Sequence, residues 1–209
     1  MMKEKLSVAN EFAFVEKATD EELIDYIYRT PLCNSNVPRF FELASKNTIK
    51  AFLRLYNLSE KNAAVLLDIQ DVELLSLYFE RHILSDENIG KMFEIGNSDI
   101  VGAYVRYHKL PEAYETRLFS AEYEKEASYY VAHYMLYESS EIPMMKFGGV
   151  KMLRNYIRHE DLHTEAEKML FTPCFDCLVN EYNRQWCFSK EARKKYDEWC
   201  RAFTNSEEE

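Results

Sequence analysis

The sequence predicts an all-α fold: a right-handed α-solenoid of about seven and a half 26-residue helix-turn-helix repeats. Three observations carry that expectation. Aromatic residues recur every 26 positions, and apolar residues inside each interval follow helical spacing. Glycine and proline number only five each in 209 residues, too few for a loop-rich all-β chain.

From Tyr26, steps of 26 land on Phe52, Tyr78, Tyr104, Tyr130, Tyr156 and Tyr182. A second column holds Leu32, Leu58, Leu84, Leu110, Leu136 and Leu162, with Phe188 last. A third reads Leu23, Ile49, Leu75, Val101, Ala127, Leu153, Val179, and a fourth Phe40, Leu66, Met92, Leu118, Met144, Leu170, Tyr196. No insertion interrupts them. The columns also run backwards, since Leu6-Ser7 matches Leu58-Ser59, and Asn10 falls in line with Asn36, Asn62 and Asn88. Residues 5–18 are therefore an N-terminal half-repeat, 19–200 seven repeats and 201–209 a polar tail, within a single repeat domain, 1–209.

Each repeat reads as two helices. Apolar positions 75, 78 and 79, continued by His82, place one face of a first helix on the core, and 89, 92, 93 and 95 do the same for a second. Thr19, Ser45, Asp71 and Asn97 stand just before the first helices and predict N-caps, with Glu22 completing a capping box on Thr19. Ser59, Ser85 and Ser189 are placed to cap second helices, and Thr164-x-x-Glu167 reads as another capping box. Pro31 and Pro111 fall in turns, Pro38 and Pro143 in second helices, and Gly148-Gly149 in a turn between repeats. Helices of about ten residues are marginal alone, so neighbours must stack to bury their apolar faces.

With 26 basic and 36 acidic residues the net charge is −10, which counts against a nucleic-acid partner. No apolar run reaches membrane-spanning length, and five cysteines, an odd number, suggest reduced thiols in a cytoplasmic protein. Two strings resemble metal sites. His159-Glu160-Asp161-Leu162-His163 matches H-E-x-x-H, in which two histidines on one helical turn bind zinc and the glutamate acts as general base. In the repeat register, however, the five residues span a helix end, a turn and a helix start. Cys174-x-x-Cys177, with Cys187 and Cys200, could offer thiolates, but Cys177 and Cys187 sit at opposite ends of one predicted helix. No metal and no cofactor is expected, and no catalytic residue is assigned; a zinc hydrolase using His159, Glu160 and His163 is the alternative.

The surface is more informative. One outward column carries Tyr28, Arg54, Glu80, Arg106, Ala132, Arg158 and Arg184. Its neighbour carries Arg29, Leu55, Arg81, Tyr107, His133, His159 and Gln185, which predicts His133 and His159 side by side. Arginine and tyrosine dominate interface hot spots, so Arg54, Arg106, Tyr107, His133, Arg158, His159 and Arg184 are the candidate partner-binding residues. Lys50 and Arg154 would add charge to this ridge, and Glu112, Glu115, Glu138, Glu141, Glu165 and Glu167 would make the second helices an acidic surface.

The layout resembles α-solenoid helical-repeat proteins at the level of architecture, and no specific repeat consensus. That resemblance implies a non-catalytic scaffold binding another protein along an extended surface, as adaptor, regulator or toxin-neutralising partner. A nucleic-acid-binding helical repeat is the second alternative.

Overall fold

A computed structural model describes residues 6–206, and every regular element among them is helical. None of the described helices is long and apolar enough to cross a membrane. The chain forms two compact units, Met1–His108 and Lys109–Glu209.

The first unit holds α1 (Val8–Lys17), α2 (Asp20–Ile27), α3 (Val37–Leu43), α4 (Lys46–Leu55), α5 (Glu60–Ile69), α6 (Val72–Phe79), α7 (Asp86–Ile95) and α8 (Ser98–Val105). All of these but α3 start where the sequence supplies a side-chain cap. The side chains of Thr19, Ser45, Asp71 and Asn97 accept backbone N–H groups in the first turns of α2, α4, α6 and α8, and Thr19 and Glu22 form the predicted capping box. Ser7, Ser59 and Ser85 cap α1, α5 and α7 in the same way. The helices end on left-handed residues at Gln70 (φ 55°) and Gly96 (φ 69°), which turn the chain back. Packing then sorts them into two rows. α2 lies on α4, α4 on α6 and α6 on α8, while α1 lies on α3, α3 on α5 and α5 on α7.

The second unit holds α9 (Glu112–Glu115), α10 (Glu124–Val131), α11 (Glu138–Tyr156), α12 (Thr164–Met169), α13 (Val179–Gln185) and α14 (Lys190–Ser206). It is less regular. α9 is one turn long and passes into 3-10 turns at Thr116–Leu118 and Ala121–Tyr123. α12 is also short, and Pro173, which cannot donate a helical N–H, lies shortly beyond it. α11 is broken at Gly149, whose φ of 56° and ψ of −154° are open only to glycine. At the adjacent Gly148 a Cβ would come within 2.3 Å of Met152 Cβ. The predicted turn is therefore present as a sharp break between two helical pieces. Residues 201–206, expected to belong to a polar tail, continue α14; 207–209 and 1–5 lie outside the described residues.

The aromatic column is the core. Phe52, Tyr78, Tyr104, Tyr130, Tyr156 and Tyr182 are all at most 3% exposed. Each such ring contributes about 2–3 kcal/mol of burial. Leu32, Leu58, Leu84, Leu110, Leu136 and Leu162 are buried beneath the turns.

Candidate partner-binding surface

Which side chains are free to meet a partner depends on which are already used to join helices. Three kinds of junction occur, and the first two recur 26 residues apart. In the first unit the side-chain amides of Asn36, Asn62 and Asn88, each about 3% exposed or less, donate to the carbonyls of Val8, Asn34 and Glu60 at 3.0 Å. Each bond ties one odd-row helix to the segment opening its predecessor.

In the second unit a buried carboxylate takes over. Glu115 accepts the Tyr130 hydroxyl at 2.9 Å and the Tyr137 N–H at 2.8 Å. Glu141 accepts the Tyr156 hydroxyl at 3.3 Å, the His163 N–H at 2.9 Å and the His163 Nδ1–H at 3.1 Å. Glu167 accepts the Tyr182 hydroxyl at 3.0 Å and the Ser189 N–H at 3.1 Å. The three tyrosine oxygens in turn accept the N–H groups of Leu110, Leu136 and Leu162 at 3.0–3.1 Å. Glu11 makes the same clamp at the start of the chain, with Tyr26 at 2.9 Å and the Cys33 N–H at 2.7 Å, and also receives the Asn36 amide.

Burial pushes the carboxyls of Glu115 and Glu141 up, with the hydrogen bonds they accept working against it. Burial, reinforced by the neighbouring glutamates, also raises the hydroxyls of Tyr26, Tyr130, Tyr156 and Tyr182 far enough to keep them donors. This corrects one expectation. Glu115, Glu141 and Glu167 are not part of an acidic surface but are 2% exposed or less, whereas Glu112, Glu138 and Glu165 are exposed. The Thr164–Glu167 capping box is likewise absent: Glu167 faces Tyr182 and Ser189, and α12 has no side-chain cap.

A third junction uses side chains near the ends of first helices. The Tyr56 hydroxyl, His108 Nε2, His159 Nε2 and Trp186 Nε1 reach back to the carbonyls of Ile27, Phe79, Val131 and Ile157, about one repeat earlier. Arg81 and Gln185 do the same to the carbonyls of Arg54 and Arg158. Carbonyls at helix C-termini lack intrahelical donors, and these contacts supply them.

His159 therefore serves the backbone, with Nε2 2.9 Å from the Val131 oxygen. His133 turns instead to its own helix, bonding the Tyr129 carbonyl at 2.7 Å and stacking on the Tyr129 ring at 4.0 Å. No hydrogen bond or ring contact joins the two histidines among the described residues, although His159 reaches the carbonyl two residues before His133. The H-E-x-x-H string dissolves for the same reason, because His159 binds Val131 while His163 binds Glu141. No group of three or more His, Cys, Asp or Glu side chains among the described residues is placed to hold a metal ion. Cys174, Cys177 and Cys187 are exposed thiols, and Cys200 is half-buried.

The remaining candidates divide by unit. Arg158 and Arg184 are exposed on the second unit, near the ends of α11 and α13. Arg154, expected to reinforce them, is held by Glu181 at 2.9 Å. In the first unit Arg54, Glu80 and Arg106 stand at the ends of α4, α6 and α8, three consecutive helices of one row, and all three are exposed. Beside them a groove of about 510 Å³ opens, lined by Arg54, Val72, Leu77, Glu80 and Tyr107 among others. Tyr107 is 45% exposed there.

Lys50 at the groove is paired with Glu73, and Lys46 bonds Asp71 and Glu73 at 2.7 and 2.8 Å. Arg54, Glu80 and Arg106, by contrast, take part in none of the ion pairs among the described residues. The structure thus brings Arg54 and Tyr107 together at one groove and adds Glu80, Leu77 and Val72, which charge reading alone had passed over.

No protein-family model, curated protein or solved structure matches the chain.

Proposed function

We propose that the chain is a non-catalytic helical-repeat scaffold, an α-solenoid of 26-residue repeats, that binds another protein on the even-numbered helices of its first unit. The observation that carries this reading is the groove beside Arg54 and Tyr107. Its apolar floor, Leu77 and Val72, is flanked by an exposed tyrosine and by charged groups that no neighbour neutralises. An adaptor, a regulator and a toxin-neutralising partner all fit, working in the cytoplasm.

Photocrosslinking tests it. A benzophenone side chain at position 107 should label a discrete polypeptide in native extract, and Leu77→Glu should abolish the labelling. A probe at position 184, on the second unit, should label little. Equal labelling from both positions, or indifference to Leu77→Glu, would remove the groove from the account.

A further inference from the structure

The groove reading can be taken one step further, to the kind of segment that fits. Arg54, Glu80 and Arg106 occupy the same position in three successive repeats, on helices α4, α6 and α8 that pack in order. Their signs alternate: plus, minus, plus. The Arg81 guanidinium donates to the Arg54 carbonyl at 3.1 Å, which ties the end of α6 to the end of α4 and holds the register between them. Apolar surface accompanies the charges: Leu77 and Tyr107 line the groove with Arg54 and Glu80, and Leu55, next to Arg54 in the chain, is 43% exposed.

Packed helices are spaced about 8–10 Å apart. An extended chain rises about 3.3 Å per residue. A peptide crossing this row therefore advances about three residues for each helix it passes.

Resting on the groove reading, we infer that the row α4–α6–α8 receives an extended segment of a partner protein whose charges read acidic-x-x-basic-x-x-acidic. Its acidic groups meet Arg54 and Arg106, its basic group meets Glu80, and an intervening apolar side chain enters against Leu77 and Tyr107. Main-chain strand pairing plays no part, because the row is helical; recognition rests on side chains at three-residue intervals. The order of charges also discriminates against most flexible polypeptides. A basic tail, which the net charge of −10 would attract non-specifically, places two cations against two arginines.

Fluorescence anisotropy with two labelled peptides provides the test. One carries Glu-Ser-Leu-Lys-Ser-Leu-Glu at its centre, the other Lys-Ser-Leu-Glu-Ser-Leu-Lys, each flanked by Gly-Ser. The first should bind about tenfold more tightly, since exposed charge contacts are worth roughly twofold each and the second peptide makes none of the three. That preference runs against the protein's net charge. In the variant Arg54→Glu/Glu80→Lys/Arg106→Glu the order should invert, and Leu77→Glu should weaken both peptides. Equal binding, or preference for the second peptide by wild type, overturns the charge order. If both peptides bind equally but Leu77→Glu still abolishes binding, the groove reading survives without it. If neither binds while the position 107 crosslink persists, the extended segment is wrong and the groove again survives. Loss of the crosslink as well would sink both.

Discussion

Replacing Tyr182 with phenylalanine removes one oxygen atom from a site where two groups depend on it. The hydroxyl, on a side chain 1% exposed, donates to Glu167 at 3.0 Å and accepts the Leu162 N–H at 3.1 Å. A hydrogen bond is worth about 0.5–1.5 kcal/mol, and an orphaned buried donor costs about 1–3 kcal/mol. Tyr182→Phe should therefore destabilise the second unit by about 3 kcal/mol, the middle of the combined range, with packing barely changed because the ring is retained. Both tryptophans of the chain, Trp186 and Trp199, belong to that unit, so their fluorescence during urea unfolding reads it selectively. With a slope of about 1.5 kcal/mol per molar, the midpoint should fall by about 2 M.

The repeat supplies its own control. One interval holds the pair Phe52 and Val37 where others hold Tyr182 and Glu167, so phenylalanine is compatible with the position when the carboxylate is absent. In a Glu167→Val background, Tyr182→Phe should accordingly cost at least about 1 kcal/mol less than it does alone. A wild-type-background loss below about 0.5 kcal/mol, or strictly additive effects, would refute the clamp as a source of stability.

Three further outcomes are expected. Gly149→Ala should lower the melting temperature, because φ 56° and ψ −154° strain any other residue by about 1–3 kcal/mol, whereas an alanine at an exposed helical site elsewhere should not. His159→Ala should cost about 1 kcal/mol in urea unfolding by uncapping the Val131 carbonyl, and should leave the metal content by elemental analysis unchanged; loss of stoichiometric zinc would revive the hydrolase reading. pH gives the third. The hydrogen bond it donates to Glu141 raises His163 above the ordinary 6.5, so its stabilising contribution is full below that value and fades as pH rises through the raised one. Glu141, raised by burial, has the same sign, since the folded state holds its proton more readily than the unfolded chain. The second unit should thus gain resistance to urea as pH falls from 8 towards 6, and His163→Asn should flatten that slope; parallel slopes would count against it.

Period 26 was legible because large rings and turn leucines cannot be moved without opening the core, so each repeat carries them at the same place. The N-caps were equally plain: Thr19, Ser45, Asp71 and Asn97 act through their own next turn and need no distant partner. The buried glutamates were not recognised, because a charged residue on a helix of an acidic protein reads first as solvent-facing. The signal was nevertheless present. Glu11, Glu115, Glu141 and Glu167 share one column, and each precedes by 15 residues a column member that is tyrosine, never phenylalanine. The shared column of His133 and His159 fixes where their backbones stand but not what each imidazole bonds, which is the Tyr129 carbonyl for one and the Val131 carbonyl for the other.

The two junction chemistries also bear on why the chain divides where it does. Asn36, Asn62 and Asn88 join helical segments in the first unit, and Glu115, Glu141 and Glu167 in the second. The boundary at His108–Lys109 falls between the last asparagine and the first glutamate of these two sets. The asparagine rung is neutral and short, a single amide–carbonyl bond between helices that are themselves regular. The glutamate clamp gathers a hydroxyl and a backbone N–H from the following repeat onto one carboxylate, and so binds a turn as well as a helix. It is also the second unit that tolerates one-turn α9, truncated α12 and the break at Gly149. Helices too short to hold their neighbours by packing alone need a stronger polar tie, and a buried carboxylate receiving two or three donors provides one. The regular first unit carries no such clamp along α4, α6 and α8, and Arg54, Glu80 and Arg106 at their ends take part in none of the ion pairs among the described residues.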